Sequence, residues 1–424
     1  MYTKTSPSFD TMAPIRIALI GLSASAKTSW AAEAHLPYLL SPRGRQHYAV
    51  VALLNSGVNA AKAARSHFCL PDNVKTYGDP ELLAQDPDVD LVVCCTRVDT
   101  HSSLIAPSVR AGKAVYIEWP LAENLHSAEE LASLAAEGGG GEIVGLQGRV
   151  AKVVLKIKQV VESGRIGRVL GSDVEAYGNL LGRDELPAGL AYFAERRVGG
   201  NPVTIAFAHM VDYVHHVLGE FEEGWESRMQ IQRAHLKLIG DEEEGMVRSD
   251  VPDFIAVHGA LKGRNTVEGA TLAVRFRNGT PFKGRPGLVW RIVGEKGEVE
   301  VESPAGPYLH SDSYDEPIGI RVHDHQRDVV EVVEWEWEDW QEELPVRARN
   351  VGEMYERFAA WFENGKLAGK ENWPGIEDGL VRMKELDTLF RRFDDQSVWL
   401  RWALDPCKVS TTDLIDSSRC AQCI

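Results

Sequence analysis

Ala111-Gly112-Lys113-Ala114-Val115-Tyr116-Ile117-Glu118-Trp119-Pro120-Leu121 is the stretch on which the fold turns. Its centre, residues 114–117, is a short apolar run with no polar alternation, as expected of a strand buried on both faces of a parallel sheet. Proline lacks a backbone N–H and fixes φ, so Pro120 ends the run in a tight turn. Glu118 and Trp119 therefore stand at the end of a buried strand, in the turn that follows it.

Outward from this run, residues 15–20, 49–54, 90–95 and 143–146 are further apolar stretches of strand length. Helical segments such as 60–67 and 127–136 lie between them. Strands separated by helix-length crossovers predict a parallel, doubly wound sheet over residues 15–150. The turn after its first strand is Gly21-Leu22-Ser23-Ala24-Ser25-Ala26. A dinucleotide fingerprint places glycine first, third and sixth, for a tight turn, close approach to the pyrophosphate and helix packing. Here Gly21 is kept, while Ser23 and Ala26 fill the other places. After the second strand, Asn55 stands where an acidic residue would read the ribose of NAD. Asn55 tolerates a 2′-phosphate, and Lys62 and Arg65 could supply charge, although a solvated helix face explains both. The reading tilts toward NADP over NAD.

These segments resemble the Gfo/Idh/MocA oxidoreductase family. Glu118-Trp119-Pro120 is similar to that family's Glu-Lys-Pro turn, and Thr96 to His101 to its Thr-Pro-x-x-x-His segment with Arg97 in place of proline. Gly145 to Arg149 resembles its exit from the cofactor domain, and Glu162 to Val169 its Glu-Ser-Gly-x-Ile-Gly-x-Val hinge. The resemblance implies a Rossmann-type cofactor domain, with Gly21, Ser23, Ala26, Asn55, Thr96, His101 and Glu118 holding the dinucleotide. It also implies that the family's lysine, which works on the substrate hydroxyl beside the nicotinamide, is replaced by Trp119.

Residues 151–404 are expected to form the second domain, in which from Arg168 the pattern changes to long alternating runs at 169–176, 225–238, 254–261, 270–277 and 288–301. They predict an α+β domain with a large, mostly antiparallel open sheet, one face toward the cofactor domain. The family resemblance implies that the other face dimerises. Residues 331–340 alternate acidic and apolar and are expected to form a half-exposed edge strand. Helical patterns at 347–364 and 375–393 are expected to pack back on the first domain. Residues 1–14 are expected to be a disordered leader, and 405–424 an unstructured tail.

Gly199 to Asp212 resembles the family's Gly-Gly…Asp-x-x-x-His-x-x-Asp segment, whose Asp and His share a helix face at i and i+4. The histidine remains as His209 and the distal aspartate as Asp212, whereas the first aspartate is Ile205. His209 and Trp119 are the candidate catalytic residues. Arg149, Tyr177, Tyr192 and Asp212 are the candidate substrate-binding residues, with Asp212 also readable as structural. No ligand pattern predicts a metal.

Whole-chain properties narrow the classes. The 424 residues are 44% hydrophobic with a formal net charge of −16. That balance argues against nucleic-acid binding, since no basic surplus neutralises phosphates. No apolar run of roughly 18 or more residues predicts a membrane span, and a cytoplasmic location is expected. Of six cysteines, Cys94 and Cys95 read as small core residues, and Cys420 and Cys423 as incidental members of the tail.

Hydride transfer from an alcohol needs a base for the hydroxyl proton. The leading expectation is an NAD(P)-dependent oxidoreductase using His209 on a small, rather apolar metabolite, since Trp and Ile make the pocket drier. The alternatives are a dinucleotide-sensing regulatory protein without turnover, and a non-redox isomerase or cyclase on the same fold. Regulation is suggested by resemblance to a fungal branch of the family, that of the yeast galactose-regulon repressor, where the dehydrogenase fold binds a dinucleotide and contacts an activator. A homodimer and a regulatory protein partner are expected on the same basis.

Overall fold

The computed structural model describes residues 13–404 apart from Ala24, Lys27, Gly139, 241–244 and 366–371, with side chains described as far as residue 396. The expected leader, apart from residues 13–14, and the tail with Cys407, Cys420 and Cys423 lie outside the described residues.

The first domain is built on β1 (Ile15–Ile20), β2 (Tyr48–Leu54), β3 (Lys75–Tyr77), β4 (Leu91–Cys94), β5 (Ala114–Ile117) and β6 (Glu142–Val144). They form one parallel sheet in the order β3-β2-β1-β4-β5-β6. The order reverses between β1 and β4, which makes the carboxyl ends of those strands the crevice where an open α/β sheet binds ligands. Every residue of β4 and β5 is buried, which accounts for their unbroken apolar composition. Cys94 belongs to that core.

The second domain comprises β7 (Val169–Gly178), β8 (Glu185–Pro187), β9 (Glu220–Phe221), β10 (Glu226–Gln230), β11 (His235–Ile239), β12 (Gly245–Arg248), β13 (Phe254–Lys262), β14 (Thr266–Asn278), β15 (Leu288–Gly294), β16 (Gly297–Ser303), β17 (Gly319–Asp324) and β18 (Val329–Val332). The large sheet runs β10-β13-β14-β7-β15-β16-β17-β18, with β9 on β13, and only the β7–β14 pair in it is parallel. A small sheet, β12-β11-β8, stands beside it. Val174, Ala176, Phe276, Trp290 and Ile292 point from the large sheet into a core shared with the helix Ala208–Leu218. The opposite face carries Glu175, Arg275, Arg291 and Glu300, cross-paired as ions.

Three expected runs divide differently. Residues 225–238 are two strands in separate sheets, β10 and β11. Residues 288–301 are the β15–β16 hairpin. The edge strand expected at 331–340 ends at Val332. There the chain leaves the ladder because Trp335 turns inward, its indole N–H donating to Ile318 O at 2.9 Å and its ring packing edge-on to Tyr314.

The helix Val346–Glu363 returns to the first sheet, where Met354, Tyr355 and Phe358 join Ile15, Leu19 and Tyr38 in one core. The helix Ile376–Leu404 packs against Leu125–Gly138 and β6. Among the described residues no helix is long and apolar enough to cross a membrane.

Candidate functional site

Gly21 has φ +93°, and a Cβ there would lie 2.6 Å from Cys95 O. No L side chain fits this turn without moving the strand beside it, so the first glycine of the fingerprint is fixed by sterics. Ser23 Oγ accepts from Ser25 N at 3.2 Å, and Ala26 is exposed. Asn55 Nδ2 donates to Leu22 O at 2.8 Å, tying the end of β2 to the turn, while its Oδ1 is buried without a partner among the described residues. A cradle that excludes Cβ and an orphaned buried acceptor at the switch point both suit a bound dinucleotide. Gly21, Ser23 and Asn55 would hold it. Arg65 is not free to read a 2′-phosphate, since its Nη1 donates to Asp72 O and Val74 O.

At the end of β4, Thr96 Oγ1 accepts from Thr100 Oγ1 at 2.9 Å. His101 is buried with Nδ1 2.9 Å from Pro120 O and Nε2 3.0 Å from Thr96 O. It clamps the two turns together, and burial pushes its imidazole below the ordinary range. Glu118 is buried as well, 2.8 Å from His35 Nε2, while His35 Nδ1 meets the Tyr355 hydroxyl at 2.8 Å. A Cβ on residue 145 would lie 2.3 Å from Glu118 Oε2, so Gly145 makes room for that carboxylate.

Trp119, joined to Pro120 by a cis peptide bond, is 5% exposed. Its indole N–H donates to Thr204 O at 2.7 Å. This side chain thus spans from the first domain to the segment leading to His209. That segment, Val203–Phe207, is a π-turn closed by Phe207 N to Pro202 O at 3.0 Å, ahead of the regular helix Ala208–Leu218. Asn201 Oδ1 accepts from Val203 N and Thr204 N and so caps it.

His209 is 5% exposed and stacks on His310, with ring centroids 3.7 Å apart and planes 10° apart. Burial holds His209 well below the ordinary imidazole range, and the neighbouring His310 adds to this against an opposing pull from Asp212. Burial takes His310 down to about 3, with Arg347 contributing. Both rings are therefore neutral near pH 7: they can exchange hydrogen bonds, but neither is a proton donor there, and each is a weaker base than a free imidazole.

The candidate substrate residues separate. Arg149 donates through Nε and Nη2 to Asp212 at 2.9 and 2.8 Å and through Nη1 to Asp378 at 2.5 Å. Asp212 lies 1% exposed between Arg149 and Arg382. Against the cost of burial, the two guanidinium groups hold its carboxyl below the usual range. Arg149 and Asp212 are a structural ion pair next to His209. Tyr177 is on the other side of the large sheet: it pairs with Arg277 in register, under that guanidinium, while Ala176 faces the core. The strand alternation that buries Ala176 turns Tyr177 away from His209, correcting its expected place at the substrate. Tyr192 does reach the cofactor domain, with Arg97 over its ring at 5.6 Å.

His310 and Gln147 are buried side chains near the cleft that sequence reasoning missed. Among the described residues, both amide atoms of Gln147 and His310 Nδ1 are without partners. A Cβ on Gly148 would lie 3.6 Å from His310 Cβ, which places the neighbouring turn against that ring. His310 lies in a loop with no periodicity or motif, so no signal in the chain pointed to it. Gln147, beside Arg149 in the exit segment, had such a signal.

Comparison with known proteins is consistent with this geometry. The NAD-binding Rossmann domain model of the GFO/IDH/MocA oxidoreductases matches residues 15–145, and the Gal80p C-terminal domain model matches residues 152–303. The dehydrogenase aclE of Aspergillus oryzae is 34% identical over 307 residues, covering 69% of this chain and 77% of its own. The galactose/lactose metabolism regulatory protein GAL80 of Saccharomyces cerevisiae is 26% identical over 304 residues, covering 69% and 68%. A crystal structure of a super-repressor mutant of Gal80p from that yeast superposes with a TM-score of 0.78 at 22% identity, covering 91% of this chain and 97% of the other.

Proposed function

The chain belongs to the Gfo/Idh/MocA oxidoreductase family, and from that premise we propose that it is a nicotinamide-dinucleotide sensor that regulates a partner protein without turning its cofactor over. The observation that carries this reading is Trp119. We read it as standing where the family's lysine would meet the nicotinamide; it is buried, and its one side-chain polar atom is spent on Thr204 O. With Ile205 in place of an aspartate and His209 held below the ordinary imidazole range, we read no group among the described residues as matched to exchanging a proton with a substrate near pH 7. The likeness to GAL80 supports a regulatory role. Asn55 supports NADP beside NAD, because it presents no carboxylate to a 2′-phosphate.

A second reading is favoured by the identity to the dehydrogenase aclE: an oxidoreductase in which His209 serves as the base for a small, rather apolar substrate. Calorimetric titration with NADPH and NADH, followed by absorbance assays with carbonyl and alcohol panels, separates the two. Binding with no absorbance change above the buffer rate is the expected result. Steady NADPH oxidation that disappears in His209→Ala overturns the sensor in favour of the dehydrogenase. Conversion of a panel compound with constant nicotinamide absorbance overturns both in favour of an isomerase or cyclase.

A further inference from the structure

Behind the cleft, between the helices Lys152–Glu162 and Ala208–Leu218 and the segment 372–378, lies a cavity of about 830 Å³. None of the dinucleotide-turn residues lines it, and Arg149 alone links it to the ion pair beside His209. Its size falls within the range of small-molecule sites. One wall is apolar, from Leu155, Trp373 and Pro374, and the other is charged, with Arg149 and Lys158 beside the carboxylates of Glu162 and Asp378 and the ring of His216.

Lys158 is the unusual group. Arg149 spends its charge on Asp212 and Asp378, and Arg357 at the rim pairs with Glu353. Among the described residues no carboxylate lies within 4.0 Å of the Lys158 ammonium, in a chain with 62 acidic residues against 46 basic ones. Its partner is instead His216, whose Nε2 lies 3.1 Å from Nζ. Burial takes His216 down to about 4, with Lys158 and Arg149 adding to this, so the ring is neutral and accepts. Burial also lowers the Lys158 amine, with Glu162 opposing and Arg149 and Arg264 reinforcing. A cation is thus oriented by a neutral ring, near Arg149 and Arg264, with Glu162 acting on it only from beyond ion-pair distance. A bound anion would supply the missing charge, and a charge-assisted hydrogen bond is a strong one where water is partly excluded.

We propose that this cavity binds a small organic acid, a carboxylate or phosphate head on an apolar body, with Lys158 as the counter-ion of the head and Trp373 and Leu155 against the body. The test is calorimetric titration of the full chain with benzoate, phenyl phosphate, benzyl alcohol and inorganic phosphate, on the unaltered protein, Lys158→Met and Lys158→Arg. At least one of the two aromatic acids is expected to bind. Lys158→Met weakens that binding by about tenfold or more, and Lys158→Arg keeps most of it. NADPH titration of the same variants gives unchanged affinity, which shows that they are folded and keeps this site's outcome separate from that of the cleft. No binding of either acid at millimolar concentration overturns the proposal. So does equal affinity in Lys158→Met, equal affinity for benzyl alcohol, or inorganic phosphate binding as tightly as phenyl phosphate.

Discussion

Trp119 changes more than the chemistry of the turn, because it also joins the domains. Its ring belongs to the core with Leu121, Val144 and Ala206, and its N–H holds Thr204 O. Trp119→Phe keeps most of the ring contact and loses the hydrogen bond, so a cost of about 1 kcal/mol is expected in urea unfolding. Trp119→Lys places an ammonium in a site only 5% exposed, and a larger loss, about 3 kcal/mol, is expected unless the amine sheds its proton. That variant is also expected to show no NADPH turnover, since Ile205 and the neutral His209 remain. Turnover appearing in Trp119→Lys would mean that one residue silences the site. The turn itself could be read from the chain, because proline after a buried run leaves few choices. The partner of Trp119 could not, because Thr204 O is a backbone atom 85 residues away.

At the scale of elements, the helix Ala208–Leu218 is held between two others by buried charge. Arg149 and Arg382 flank Asp212, and Arg382 also pairs with Glu220 and Glu385. Arg382 has no exposed side-chain surface, and against the cost of burial it and His215 hold the Glu385 carboxyl down to about 2. Removing Arg382 leaves the buried Glu385 carboxylate without its guanidinium and Asp212 with only Arg149, so Arg382→Met is expected to cost about 3–5 kcal/mol. Arg382→Met combined with Asp212→Asn should cost less than the sum of the two, read from urea midpoints followed by circular dichroism. A loss below about 1 kcal/mol for Arg382→Met would mark the pair as solvent-screened. This network explains what the sequence showed and what it hid. Runs such as 114–117 announce strands because both faces are buried, and Gly21 announces its turn because no Cβ fits. Asp212 stood out only as a motif position, while Arg382, in the helix Ile376–Leu404, carried no local signal for a contact across the fold. Tyr177 was misplaced for a related reason: alternation gives two faces but does not say which one meets the cleft.

For the whole molecule, the buried His209 and His310 and the half-buried His216 shape the response to acid. His209, His216 and His310 are all held below the ordinary value of 6.5, His216 at about 4 and His310 at about 3, chiefly by burial. In the unfolded chain each takes up a proton near 6.5, whereas the folded protein resists until its lowered value is reached. The unfolded state therefore binds more protons in between, and stability falls as pH drops from 6.5 toward 4 and 3. Asp212 and Glu385 act in the same direction but lower, since their depressed carboxyls are protonated first in the unfolded chain, below the ordinary 3.8 and 4.5. The formal net charge of −16 works the other way, because self-repulsion relaxes as acid neutralises the surface. The sign of the slope between pH 6.5 and 5 thus discriminates. Urea unfolding across that window is expected to show stability falling with pH. His310→Phe, which keeps a ring against His209, should lower the slope by up to about 1.4 kcal/mol per pH unit. An unchanged slope in that variant would mean that the folded cleft lets His310 take its proton, and a neutral His209–His310 stack could then no longer support a redox-silent site.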